Sequence, residues 1–279
     1  EILSGLVGSE MCIRDRVSHV LGCWLLLGVL ALELRFLFFA LAEHYNAWRW
    51  LGWVLVPCAF LMLMGLRRPL PWPVVAYPQE YRSYAAIPVA VGLLGWFWLV
   101  NLLSDGSAEP LPYVPLINPL ELGMLFVLFA VQRWAPDGLP ALAIRPRQMQ
   151  LAAQAVVGAS LFALLTMMVC RTAFHWGQVP FQADALVGSQ LVQAGLSIVW
   201  TLIALSLTIT GHLRARRDLW MTGAALIGVV VVKLFFVDLG NSGSLERIIS
   251  FIGVGVLLLV VGYFAPLPPR QGPDAQVSA

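Results

Sequence analysis

Charge is scarce in this chain. Asp, Glu, Lys and Arg together supply 11% of its 279 residues, well under the roughly 25% typical of a soluble domain. So few charged side chains cannot clothe a globular surface in water, and a soluble fold is excluded. Lysine is nearly missing: Lys233 is the only one, and arginine supplies every other basic residue. The net charge is only +2, which lacks the basic footprint that a nucleic-acid partner requires. Cysteine is sparse too. Cys12, Cys23, Cys58 and Cys170 show no metal-ligand spacing, and the last three lie in apolar runs where they read as packing residues. The sequence also lacks a phosphate-binding glycine loop, a zinc signature and a nucleophile elbow. No cofactor and no metal are therefore expected.

What is abundant is apolar surface, at 59% hydrophobic residues. One segment stands apart. The opening EILSGLVGSEMCIRDR (1–16) carries Glu1, Glu10, Arg14, Asp15 and Arg16 and no Trp, Phe or Tyr. A signal peptide runs from a basic start into an apolar stretch, and here the order is reversed. The string SEMCIRD is similar to a translated transposase-end adapter of sequencing libraries. Residues 1–16 are accordingly expected to be a non-native segment, with the natural protein extending further upstream.

About 20 apolar residues cross a bilayer as a helix. The chain offers eight such stretches: 17–42, 48–66, 85–103, 120–134, 150–174, 186–211, 219–239 and 245–265. Proline-dense connectors such as RRPLPWPVVAYP and EPLPYVPLINP interrupt them, and helices do not continue through such segments. The expected architecture is an all-α polytopic helix bundle over residues 17–266. The proline-rich polar tail 267–279 is expected to be a disordered cytoplasmic tail.

The arginines alternate between connectors. Arg67, Arg68 and Arg82 follow the second stretch, Arg133, Arg145 and Arg147 the fourth, and Arg214, Arg216 and Arg217 the sixth. The intervening connectors carry only Arg49, Arg171 and Arg247. Positive charge marks the cytoplasmic side, so both termini are expected in the cytoplasm.

Four strings carry a family resemblance: PLINPLELG, RTAFHWGQVPF, SQLVQAGLSIVWTLIAL and VVVVKLFFVDLGNSGSLERIISFIGVGVLLLVVGYFAPLPP. Over residues 17 to 268 the chain resembles the C-terminal part of the bacterial polytopic membrane proteins of domain-of-unknown-function family 2339. The resemblance implies a multi-pass protein of the bacterial cytoplasmic (inner) membrane. It also implies that further membrane spans of the same protein lie upstream as partners. It implies no activity.

Candidate site residues are the ionisable and polar groups that apolar spans should not carry. Lys233 lies within the seventh stretch, where a charge costs roughly 2.5–3.5 kcal/mol and needs a partner or an exit. It either reaches the outer interface near Asp238 or pairs with Glu33 of the first stretch, which lies at a similar depth. Arg35, two residues from Glu33, faces another side of that helix and is a weaker competitor. Arg171 and His175 are four residues apart and share a helical face. They either hold an anionic headgroup or phosphate, or anchor the interface beside Phe174 and Trp176. Gln190, Gln193, Ser197, Thr201 and Thr208 form a polar stripe that either bonds to neighbouring helices or lines a passage. Asp238 and Arg247 bracket a tight turn, as a clamp or as part of an outward pocket with His175. Glu121, in NPLELG, suits the start of a helix.

The leading expectation is a non-enzymatic membrane protein that binds or moves a lipid-like or small polar ligand of unknown identity, with the lipid bilayer as its partner. The alternatives are a membrane-embedded transferase acting on lipid-linked or envelope substrates, and a structural scaffold.

Overall fold

A backbone N–H or C=O left unpaired in hydrocarbon is costly, so an apolar run bounded by prolines satisfies itself as a helix. The computed structural model describes residues 2–41, 46–139, 146–234, 255 and 259. Among these, regular structure is helical, with one isolated bridge between Ala108 and Leu111. The helices are α1 (Ile2–Leu41), α2 (Asn46–Gly52), α3 (Leu55–Met64), α4 (Ala86–Leu103), α5 (Pro119–Gly138), α6 (Pro146–Gly177), α7 (Ala183–Gly188), α8 (Gln190–Leu213) and α9 (Arg217–Lys233). A short π-helical segment, Glu80–Ala85, leads into α4.

Four segments are long and apolar enough to cross a membrane: Arg14–Ala40, Glu80–Leu103, Arg147–Gly177 and Gln190–Leu213. They coincide with the first, third, fifth and sixth expected stretches. The second expected stretch is not one helix, because a turn at Trp53 and Val54 divides it into α2 and α3. The fourth is longer than expected, since α5 runs on through Pro136 to Gly138. α9 covers most of the seventh. The eighth stretch and the tail 267–279 fall outside the described residues, apart from positions 255 and 259. α1 runs unbroken through the segment read as non-native, and Arg16 within it lies 3.4 Å from Glu80.

Packing divides the chain into two compact units, 1–172 and 173–279. The first has its core on α3, α4 and α5, around Leu61, Phe97, Leu120, Met124 and Val127. The start of α5 is spelled locally. Asn118 caps it by accepting the Leu120 N–H at 2.9 Å, and Pro119 occupies the first helical position, where a missing N–H has no consequence. The π-helical segment is held by two indoles that reach its backbone and by one of its own hydroxyls that reaches out. The Trp134 indole donates to the Arg82 carbonyl at 2.8 Å, the Trp24 indole to Ala85 at 3.1 Å, and Ser83 donates to the Gly138 carbonyl at 3.0 Å. α1 and α2 meet at bare backbone. A Cβ on Gly52 would lie 2.6 Å from the Arg35 Cα, so this crossing requires glycine.

The second unit centres on the α8–α9 hairpin. Gly211 faces Trp220, and Gly223 faces the Thr208 backbone and the Ala204 carbonyl. These small residues let the two helices approach closely, which is how apolar helices associate in lipid.

Candidate functional site

In the first unit, Arg171 of α6 has a side chain with no exposure at all. Burial of an unpartnered guanidinium is costly, so its contacts explain why it is there. The last carbonyls of any helix lack intrahelical donors, and Arg171 supplies them at the end of α4. Its Nη2 donates to the Asn101 carbonyl at 2.9 Å and the Asn101 Oδ1 at 3.1 Å, and its Nε donates to the Ser104 carbonyl at 3.1 Å. A cation at a helix C-terminus also complements the helix dipole.

The balancing charge is Glu121, in the first turn of α5 and equally buried. Its Oε1 lies 3.6 Å from Arg171 Nη1. The same oxygen accepts from the Tyr113 hydroxyl at 2.7 Å, and Oε2 accepts the Leu116 N–H at 2.7 Å. Leu116 has φ +67°, a left-handed conformation that costs a branched side chain about 1–2 kcal/mol. The Glu121 carboxylate thus fixes a strained turn as well as a cation. Burial, and then the adjacent Glu121 charge, push the Tyr113 phenol well above its ordinary value. It therefore stays a neutral donor. Gly106, at φ +82°, lies against Arg171 Cδ and the Tyr113 ring, and its carbonyl accepts from Asn118 Nδ2 at 2.8 Å.

This knot joins the C-terminus of α4, the connector 104–118, the N-terminus of α5 and α6. It is nearly saturated. Two donors, Asn101 Nδ2 and Arg171 Nη1, are buried without a hydrogen-bond acceptor. Sequence reasoning singled out Arg171 but paired it with His175, and it took Glu121 only as a local helix-start residue. Tyr113 and Asn101 were not singled out. Asn101 is the one polar residue in the run GWFWLVNLL, and that isolation was the available signal.

The other expected site residues are placed as follows. Glu33 lies on α1 of the first unit with its side chain exposed. His175, Gln190 and Lys233 belong to the second unit. The His175 ring packs edge-on against Phe174, with centroids 4.8 Å apart. Gln190 is the exposed first residue of α8. Lys233, at the end of α9, donates to the Gln193 carbonyl at 3.0 Å and the Ser197 hydroxyl at 2.7 Å. The hydroxyls of Ser197, Thr201 and Thr208 each donate to a carbonyl four residues back on α8, so much of the polar stripe is satisfied within its own helix. Asp238 and Arg247 lie outside the described residues. No group of three His, Cys, Asp or Glu side chains among the described residues could hold a metal ion.

The first unit also holds an open groove of about 730 Å³ between α1, the α2–α3 region and α4. Its volume falls within the usual range of ligand sites. Trp24, Trp50, Trp53 and Trp96 line it, and no lining residue carries a charge. Gly28 and Gly92 form part of its wall, and a Cβ at either would meet nothing within 4 Å. Just beyond it, the Arg35 guanidinium lies over the Trp53 ring at 5.3 Å. The groove draws four residues from α1, four from the α2–α3 region and six from α4, segments well separated in sequence, so no local motif announced it.

A family model described as "Predicted membrane protein (DUF2339)" matches residues 6–268, and the chain belongs to this family. Neither a curated protein nor a solved structure matches it.

Proposed function

We propose that this member of the DUF2339 membrane-protein family binds a lipid-like amphiphile in the tryptophan-lined groove of its first unit. The observation that carries the reading is the groove itself: a sizeable, uncharged concavity on apolar helices, with two glycines that leave its wall open. A surface at that depth is covered either by protein or by lipid. A concave one with aromatic walls offers an acyl chain more dispersion contacts than a smooth helix face does. The charged residues fit a structural part. Arg171 and Glu121 are enclosed and satisfy helix termini and a strained turn, which supports a scaffold role for them rather than contact with a ligand.

The arginine alternation between connectors supports eight spans, cytoplasmic ends and residence in a bacterial inner membrane. A reporter fused after Ala279 is then active only on the cytoplasmic side, and periplasmic activity overturns that topology.

The ligand reading is tested by native mass spectrometry of the full chain released from mild detergent. The wild-type protein is expected to retain bound lipid, and Gly92→Leu, whose Cβ has open space within 4 Å and whose side chain adds bulk to the groove, to retain much less. Equal retention by the two proteins rejects the groove as the site.

A further inference from the structure

The groove is apolar, yet the residue at its end is an arginine. Trp24, Leu27, Gly28 and Ala31 line it from α1, and Arg35 continues the same stripe at the next i+4 position. Gly52 holds the Arg35 backbone in place, and the next residue, Trp53, lines the groove and presents its ring to the guanidinium. Arg35 Nε is buried with no acceptor, and no carboxylate among the described residues lies within ion-pair distance of the guanidinium.

A guanidinium in an apolar span is unfavourable unless it finds a partner or reaches the interface. The cation–π contact with Trp53 offsets part of that cost. An anion beside Trp53 would supply the acceptor that Arg35 Nε lacks. Arg35 is six residues, about 9 Å, from the last residue of α1. A side chain of that length brings its guanidinium towards the depth of lipid phosphates by snorkelling.

The apolar part cannot supply selectivity by itself. Lipid tails are as apolar as the groove wall, so an acyl chain gains only packing on entering it. Discrimination between lipids has to come from the polar end. From this we infer that Arg35 gives the groove a preference for a phospholipid with a net anionic headgroup: the acyl chain lies along the tryptophans and the phosphate meets the guanidinium. The occupant is a bilayer phospholipid and not a free anion, because the cation and the apolar channel are contiguous. The inference rests on the groove being a lipid site, as proposed above.

The test exposes the full chain in mild detergent to an equimolar mixture of phosphatidylglycerol and phosphatidylcholine and reads bound lipid by native mass spectrometry. Both lipids carry a phosphate, but the trimethylammonium group of phosphatidylcholine offsets its charge and weakens the guanidinium contact. A preference of about tenfold is expected, so wild-type protein retains mainly phosphatidylglycerol. Arg35→Gln binds both lipids equally, and Arg35→Lys restores most of the preference. Gly92→Leu loses both lipids. If the wild-type protein binds the two lipids equally, or Arg35→Gln keeps the preference, the Arg35 assignment falls while the groove stands. If no lipid of either kind is retained, or Gly92→Leu keeps its lipid, the groove reading falls and this inference with it.

Discussion

Glu121→Ala is a severe change at a residue outside the apolar core. It removes the charge facing a guanidinium with no exposure, the acceptor of the Tyr113 hydroxyl and the acceptor of the Leu116 N–H. Removing one partner of a buried ion pair costs about 3–5 kcal/mol, because the other charge is left uncompensated. Arg171→Met costs a similar amount for the mirrored reason, and it also leaves the Asn101 and Ser104 carbonyls without their donor. The double variant Glu121→Leu/Arg171→Met leaves no stranded charge. It should fall short of the summed single losses by about 1–3 kcal/mol, the coupling seen between residues in one network. Reversible unfolding in mixed micelles, followed by tryptophan fluorescence, measures all three. Additivity within about 0.5 kcal/mol would refute the knot as a coupled structural unit. Losses near zero for both single variants would refute its structural role altogether.

Two further outcomes follow from the same contacts. The Tyr113 phenol is raised by burial and by Glu121, so its folded value lies above its unfolded value of about 10. The stability this contributes is complete below about pH 10 and is lost as pH rises through the folded value. Phenolate absorbance near pH 10 should therefore have the same amplitude in Tyr113→Phe as in the wild-type protein, and a smaller amplitude in the variant contradicts the buried donor. Lys233→Met removes the charge-assisted hydrogen bonds to Gln193 and Ser197, worth about 1.5–3 kcal/mol each, together with a charge in an apolar helix that costs roughly 2.5–3.5 kcal/mol. The two effects partly cancel, so the expected net loss in unfolding free energy is at most about 3.5 kcal/mol. A loss above that range would contradict this balance of hydrogen bonding against charge burial.

Much of the helical layout was legible because apolar length and proline punctuation are local properties. α4, α6 and α8 fall where the runs place them, and the cap of α5 is spelled by Asn118, Pro119 and Glu121 in sequence. The break between α2 and α3 was not legible, since Trp53 and Val54 are as apolar as their neighbours. The partners of Arg171 were hidden for a different reason. Phe174 and Trp176 beside it read as an interface belt, whereas Glu121, Asn101 and Ser104 are 50 or more positions away. Composition reports that a charge in an apolar run needs a partner, and only the packing of α4, α5 and α6 identifies which one. Arg35 shows the converse. It read as a minor neighbour of Glu33, and only its position over Trp53, a residue that lines the groove, brings it into the proposed site.

The most direct measurement of the central claim is photocrosslinking with a phosphatidylglycerol that carries a photoreactive group on its acyl chain, followed by peptide mapping of the full chain in a bilayer. The lipid-site account predicts labelling concentrated on the groove faces of α1 and α4, around Gly28 and Gly92, and suppressed by Gly92→Leu. Labelling spread evenly over the exposed faces of α1, α4, α6 and α8, and unchanged in that variant, would contradict it.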